Sequence, residues 1–243
     1  MTDFVTDRRT MIGAGALLAG SAAMVAPKTA SAQSGGAKWE PKREALDDWY
    51  DLPGTLHRMM FDTTSVAQLR GALGYANNCY FVTWKDYGQK PQDLGMILVL
   101  RHFSTPFAFN DAMWKKYGKL FAEQLELKGD EAIRATSVNP FLTDPPAEMP
   151  PKDAKPKEAP KPEDQFNEVT LGSFGRRGAR FAVCALATKG VAGGLASKTK
   201  GDAKAIEAEL IANLIPGGHM VPAGIIAVNR AQERGYTPAV VID

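Results

Sequence analysis

Residues 95–101 read Gly-Met-Ile-Leu-Val-Leu-Arg. The run is of strand length and apolar almost throughout, with no polar residue at alternate positions. A strand that reads this way is covered on both faces, as in the middle of a parallel sheet. Working outward, residues 179–184, ARFAVC, repeat the pattern, and residues 56–61, LHRMMF, give a shorter version before Asp62. Between the first two strands, residues 63–78 place Val66, Leu69, Leu73 and Ala76 three and four apart, a helix face. Residues 110–127 carry Met113, Trp114, Tyr117, Phe121 and Leu125 on one side of a second helix. Helices are expected again at residues 186–195, 204–214 and 223–234, the last stopped by Gly235. Short strands are expected at residues 219–221 and 237–242, with Pro238 pointing to an edge position. The order β-α-β-α-loop-β-α-β-α-β predicts an α/β domain with a mainly parallel sheet and helices on both faces.

The 243 residues are 44% hydrophobic and 23% charged, enough for a sizeable core, with a formal net charge of +2. That near-balance argues against a nucleic-acid binder. Two cysteines exclude a disulfide-dense scaffold, and the absence of CxxC, GxGxxG and GxxxxGK[ST] removes the common zinc, dithiol, dinucleotide and P-loop signals. Residues 1–32 read as a twin-arginine export signal. Arg8-Arg9 precede a mildly apolar run over residues 11–26, and Ala30-Ser31-Ala32 offers a small-x-small cleavage site. The expected location is therefore periplasmic, with no membrane span in the mature chain; the alternative is an uncleaved anchor. Residues 33–54 are expected to form a flexible lead-in, polar and Gly-rich as far as residue 45. Residues 140–166 hold eight of the sixteen prolines with Lys and Glu, and predict an excursion without regular structure, either a solvated linker or an arm on a neighbouring subunit.

In open parallel sheets ligands bind outside the carboxyl ends of the strands. Those ends are Asp62, Arg101-His102, Cys184 and Val221-Pro222. Cys184 passes from a strand into a helix, where amide N–H groups favour a thiolate. It reads equally as an inert core cysteine. His102 could position or deprotonate a sulfur species, or simply bond to nearby backbone. Cys79, placed near the end of the first helix, belongs to the opposite rim, too far away for a bridge to Cys184. His57 and His219 read as structural. With no HxH or HxxxH, neither a metal nor another cofactor is expected. Arg176, Arg177 and Arg180 read as a solvated turn or a weak anion attractor.

Several segments resemble the DsrE/DsrF-like sulfur-relay family, in its exported branch. HRMMFDTTS with LRGALGYANN is similar to its first strand and helix, and GMILVLRH to its second strand. RFAVCALATKG resembles the strand ending at the relay cysteine, and HMVPAGIIAVNRAQERGYTPAVVI the family's ending. The resemblance implies a three-layer α/β/α domain over residues 55–243 with a five-stranded sheet, and a homo- or hetero-oligomer. It implies Cys184 as a persulfide carrier with His102 its neighbour, and a small sulfur compound or a partner protein's persulfide as the other reactant. The proline-rich excursion and the export signal depart from the family pattern. The function expected is a periplasmic sulfur carrier or sulfurtransferase accessory. The alternatives are a binding or assembly subunit without chemistry, or a protein that binds a small anion or a cofactor in the strand-end cleft without a covalent step.

Overall fold

A computed structural model describes residues 39–143 and 161–241 of the chain. The export signal expected at residues 1–32 lies outside the described residues, as do the last two residues and residues 144–160 of the excursion. Five strands, β1 (His57–Thr63), β2 (Leu94–Leu100), β3 (Arg180–Cys184), β4 (Gly218–Val221) and β5 (Thr237–Ala239), form one wholly parallel sheet in the order β4-β3-β2-β1-β5. The central β2 is buried along its whole length, which is why its sequence does not alternate. β5 is an edge, and its Pro238 stands opposite Met60.

Chirality sorts the helices. From β1 to β4 the chain steps across the sheet in one direction, so right-handed crossovers put their helices on one face. These are α1 (Val66–Tyr87), α2 (Asp111–Gln124), α3 (Gly129–Arg134), α4 (Leu171–Arg176), α5 (Ala185–Thr199) and α6 (Ala203–Ala212). The return from β4 to β5 runs the other way, so α7 (Gly224–Glu233) lies on the opposite face. Two cores follow. Phe61, Leu98, Leu100, Phe181 and Val183 pack against α1, α2, α5 and α6, around a fully buried Trp114 and Phe121. Met60, Ile97, Val99, Ala182 and Val221 pack under Ala227 and Ala231 of α7. The result is the three-layer α/β/α architecture, with a thick layer on one side and a single helix on the other.

Part of that thinner layer comes from the segment expected to be a flexible lead-in. Residues Ala45–Tyr50 form a 3-10 turn whose Tyr50 is completely buried on the second core. The Tyr236 hydroxyl donates to the Tyr50 carbonyl at 2.6 Å. A polar composition hid these anchoring side chains. The excursion at residues 140–166 is likewise not devoid of structure at its ends. Phe141 and Phe166 are buried in the first core, and Pro162–Phe166 is a 3-10 turn. Of the three arginines read as a solvated turn, Arg176 is exposed, but Arg177 and Arg180 are tied into the fold. Arg177 is buried, donates to Asn77 Oδ1 at 2.8 Å and to the Glu168 carbonyl at 3.0 Å, and lies over the rings of Phe166 and Phe174. Arg176 pairs with Glu168, and Arg180 donates to the Trp49 carbonyl. Burial lowers the Arg177 pKa, partly offset by Tyr80 and Glu168.

Candidate functional site

The strand order marks out a ligand position at the carboxyl edge of the sheet. A crevice opens where neighbouring strands send their following segments to opposite faces. Here that happens between β3, which continues into α5 on the thick side, and β4, which leads to α7 on the other. The last pair in register between these strands is Cys184 and Val221. Cys184 therefore stands at the topological switch point.

Cys184 is also the N-cap of α5. Its backbone is extended (φ −70°, ψ 113°), its carbonyl accepts from Thr188 Oγ1 at 3.0 Å, and its sulfur accepts the Ala187 N–H at 3.4 Å. An N-cap side chain satisfies an amide left without an intrahelical partner. Here the acceptor is a thiol sulfur, placed at the N-terminal end of the helix dipole. The residue is 7% exposed, so only a narrow part of it meets solvent.

The cation beside Cys184 comes from the strand next door. Leu100 pairs with Val183, so the following residue, Arg101, stands alongside Cys184. Strand alternation puts Asp62 on the same sheet face as Met60, and its carboxylate receives Arg101 Nε at 2.7 Å and Nη2 at 2.8 Å, a bidentate pair. The Arg101 pKa is raised, first by the Asp62 hydrogen bond, against burial, then by the charge of Asp62 and by Cys184. Gly224 permits this placement: a Cβ there would lie 2.7 Å from both Cβ and Cδ of Arg101. Below, Ser104 Oγ accepts the Arg101 N–H at 2.9 Å and is itself the acceptor for Thr63 Oγ1 at 2.9 Å, which fixes the turn after β2.

His102 follows Arg101 but turns away from the strand path. Its φ is +53°, a left-handed conformation uncommon for a non-glycine residue, and its side chain is exposed. It lies on the same rim as Cys184, yet no hydrogen bond or ion pair joins the two. The charged neighbour is Arg101. Sequence reasoning placed Arg101 and Asp62 at strand ends without giving them a role. The signal available was the two-residue period: residues 58, 60 and 62 share a face, and an Asp there with an Arg ending the next strand is an ion pair in waiting. Apolar side chains are exposed on the elements that follow these strand ends: Phe103, Leu186, Ile225 and Ile226.

The remaining candidates lie elsewhere. Cys79 sits in the body of α1 rather than near its end, because the helix runs on to Tyr87 and stops at Gly88 (φ +65°). Asn77 and Asn78, where the sequence reading ended the helix, are helical, and the Asn77 amide is used to bind the Phe166 carbonyl and Arg177. Cys79 nonetheless faces the amino edge and is a free thiol, as is Cys184. Burial raises its pKa. His57 begins β1 at that same edge. His219 stacks on Trp49 with ring centroids 4.5 Å apart, and its pKa is lowered by burial and then by Arg180. A concavity of about 780 Å³ opens at the amino edge, lined by Cys79 and not by Cys184. Size alone would select it as the site. The strand end at Cys184 is favoured instead by convergence of a cysteine sulfur, a fixed cation and a helix end. Among the described residues, no cluster of three His, Cys, Asp or Glu side chains could hold a metal, and no helix is long and apolar enough to cross a membrane.

No family model, no curated protein and no solved structure matches this chain.

Proposed function

We propose that the chain is an exported DsrE-like sulfur carrier or sulfurtransferase accessory, in which Cys184 holds sulfur as a persulfide. The observation that carries this reading is the setting of the Cys184 sulfur: capping α5, alongside Arg101, at the switch point of the sheet. The Cys184 thiolate attacks the outer, sulfane sulfur of a donor persulfide R–S–SH. The new bond is Cys184 S–S, the donor S–S bond breaks, and R–S⁻ leaves as a thiol with the donor's proton, leaving the carrier as the persulfide anion. With thiosulfate the same attack expels sulfite. In either case negative charge stays on the outer sulfur, where the Arg101 guanidinium and the α5 amides stabilise it. His102, exposed on the same rim, would meet the incoming donor or the accepting partner.

A second reading is a binding or assembly subunit without sulfur chemistry. It is favoured by the near-complete burial of Cys184 and by the exposed Phe103, Leu186, Ile225 and Ile226. Mass measurement separates the two. Purified protein incubated with a persulfide or thiosulfate donor should gain one sulfur atom, lost on reduction and absent in Cys184→Ser. An unchanged mass under both donors would remove the carrier reading.

A further inference from the structure

The amino-edge concavity gathers soft donors. Met59 and His57 are two apart on β1 and so share the sheet face that packs on α1. Cys79 reaches that face from α1, with its sulfur 3.5 Å from the Met59 sulfur. All three side chains line the same cavity, which is closed on its apolar side by Leu56, Val82 and Leu94. We propose that His57, Met59 and Cys79 form a binding site for a soft monovalent d¹⁰ cation, Cu(I) above all. The inference is independent of the Cys184 reading, since the two sites lie at opposite ends of the strands.

Three physical points carry it. Thiolate and thioether together select Cu(I) over hard ions, for which a thioether is a poor ligand. The sulfur geometry is already close to that of a shared ion. With metal–sulfur bonds of about 2.3 Å, an S···S distance of 3.5 Å corresponds to an angle of about 100° at the metal. A trigonal arrangement needs one further ligand, which the imidazole of His57, lining the same cavity from the same strand face, would supply. Charge also balances. Binding displaces the Cys79 proton to solvent, so the occupied site, one thiolate and one Cu(I), is neutral. The neighbouring Arg58 does not oppose it: its guanidinium donates to the Arg234 carbonyl at 2.7 Å and lies 3.7 Å from Asp51.

The test is anaerobic titration of the mature chain with Cu(I) against a chromophoric chelator. The expected result is one tightly held Cu(I) in wild type and in Cys184→Ser, and none in Cys79→Ser. Because any thiol binds some Cu(I), the decisive variants are His57→Ala and Met59→Leu, each expected to weaken the affinity by roughly tenfold or more. His57 is exposed at the beginning of its strand, so His57→Ala should fold normally, checked by circular dichroism. At alkaline pH, where the copper-free Cys79 thiol is labelled, bound Cu(I) should also protect Cys79, and not Cys184, from alkylation. Affinity unchanged in both His57→Ala and Met59→Leu, or copper lost in Cys184→Ser, would overturn the proposal.

Discussion

Arg101 stands between two sulfur- and oxygen-based acids, Cys184 and Asp62, and its two contacts differ in kind. The Asp62 pair is bidentate and partly shielded, with side-chain exposures of 19% and 30%. It fixes where the guanidinium can be. The Cys184 interaction is one of charge across the strand ends. Replacing Arg101 by Met removes both and leaves Asp62 without its cation, at a cost of about 1–2 kcal/mol. It should also slow alkylation of Cys184 several-fold, by removing the cation that stands alongside its sulfur. Asp62→Asn keeps the cation and should slow it less. Iodoacetamide labelling followed by peptide mass spectrometry reads both thiols at once. Cys79 should stay largely unlabelled at neutral pH, because burial raises its pKa and the reactive thiolate appears only as pH rises further. Equal rates for Arg101→Met and wild type would show that the cation does not act on the sulfur. Of this site, Cys184 was legible in the sequence because a cysteine ended an apolar strand. Arg101 was not, because its importance depends on the register of β2 against β3, and composition does not encode register.

Helix ends were the least legible elements, for a common reason. Asn77-Asn78 resembles a stop signal, yet α1 runs through it since Asn77 finds partners 89 and 100 residues away, on Phe166 and Arg177. A propensity argument sees only neighbours in sequence. The same holds for how helices are joined. Glu209 of α6 accepts Lys116 Nζ of α2 at 2.6 Å and the Tyr117 hydroxyl at 2.8 Å, a clamp between two helices of the thick layer. The Glu209 pKa is lowered, mainly by the Lys116 hydrogen bond, against burial. A carboxylate held below its ordinary value of 4.5 stabilises the fold above that value. The contribution fades as pH falls through the folded pKa. Because the Glu209 side chain is 30% exposed and Lys116 half-exposed, it amounts to a few tenths of a kcal/mol. Glu209→Gln should therefore be slightly less stable than wild type at pH 7, with the gap closing in acid. Urea unfolding at the two pH values measures it. A gap that widened in acid would reverse the assigned sign.

The two sides of the sheet differ in how much they are covered, and that difference follows from strand order alone. Among the described residues, four strands reached in one direction load six helices onto one face, and the single return leaves one helix for the other. One helix does not cover a five-stranded sheet. The strip beside it is closed by the 3-10 turn at Ala45–Tyr50, with Tyr50 and Leu52 packed on Met60, Ile97 and Tyr236. Ion pairs tie this strap to α7 and the residue after it: Arg230 lies 3.4 Å from Asp47, and Arg234, with only 1% of its side chain exposed, lies 3.5 Å from Asp51. Removing the strap would uncover apolar sheet and take away both Asp48 and Asp51, the acids paired with Arg234. A chain beginning at residue 55 should lose roughly 3–5 kcal/mol relative to one beginning at residue 39, from loss of the packed Tyr50 side chain and its neighbours and from weakened pairing of Arg234. Tyr50→Ala in the longer chain should reproduce most of the loss, which separates packing from chain length. Calorimetric unfolding of the three proteins gives the comparison. Equal stability of the shorter chain would mean that α7 alone closes the second core, and that the strap is an appendage to a domain beginning at β1.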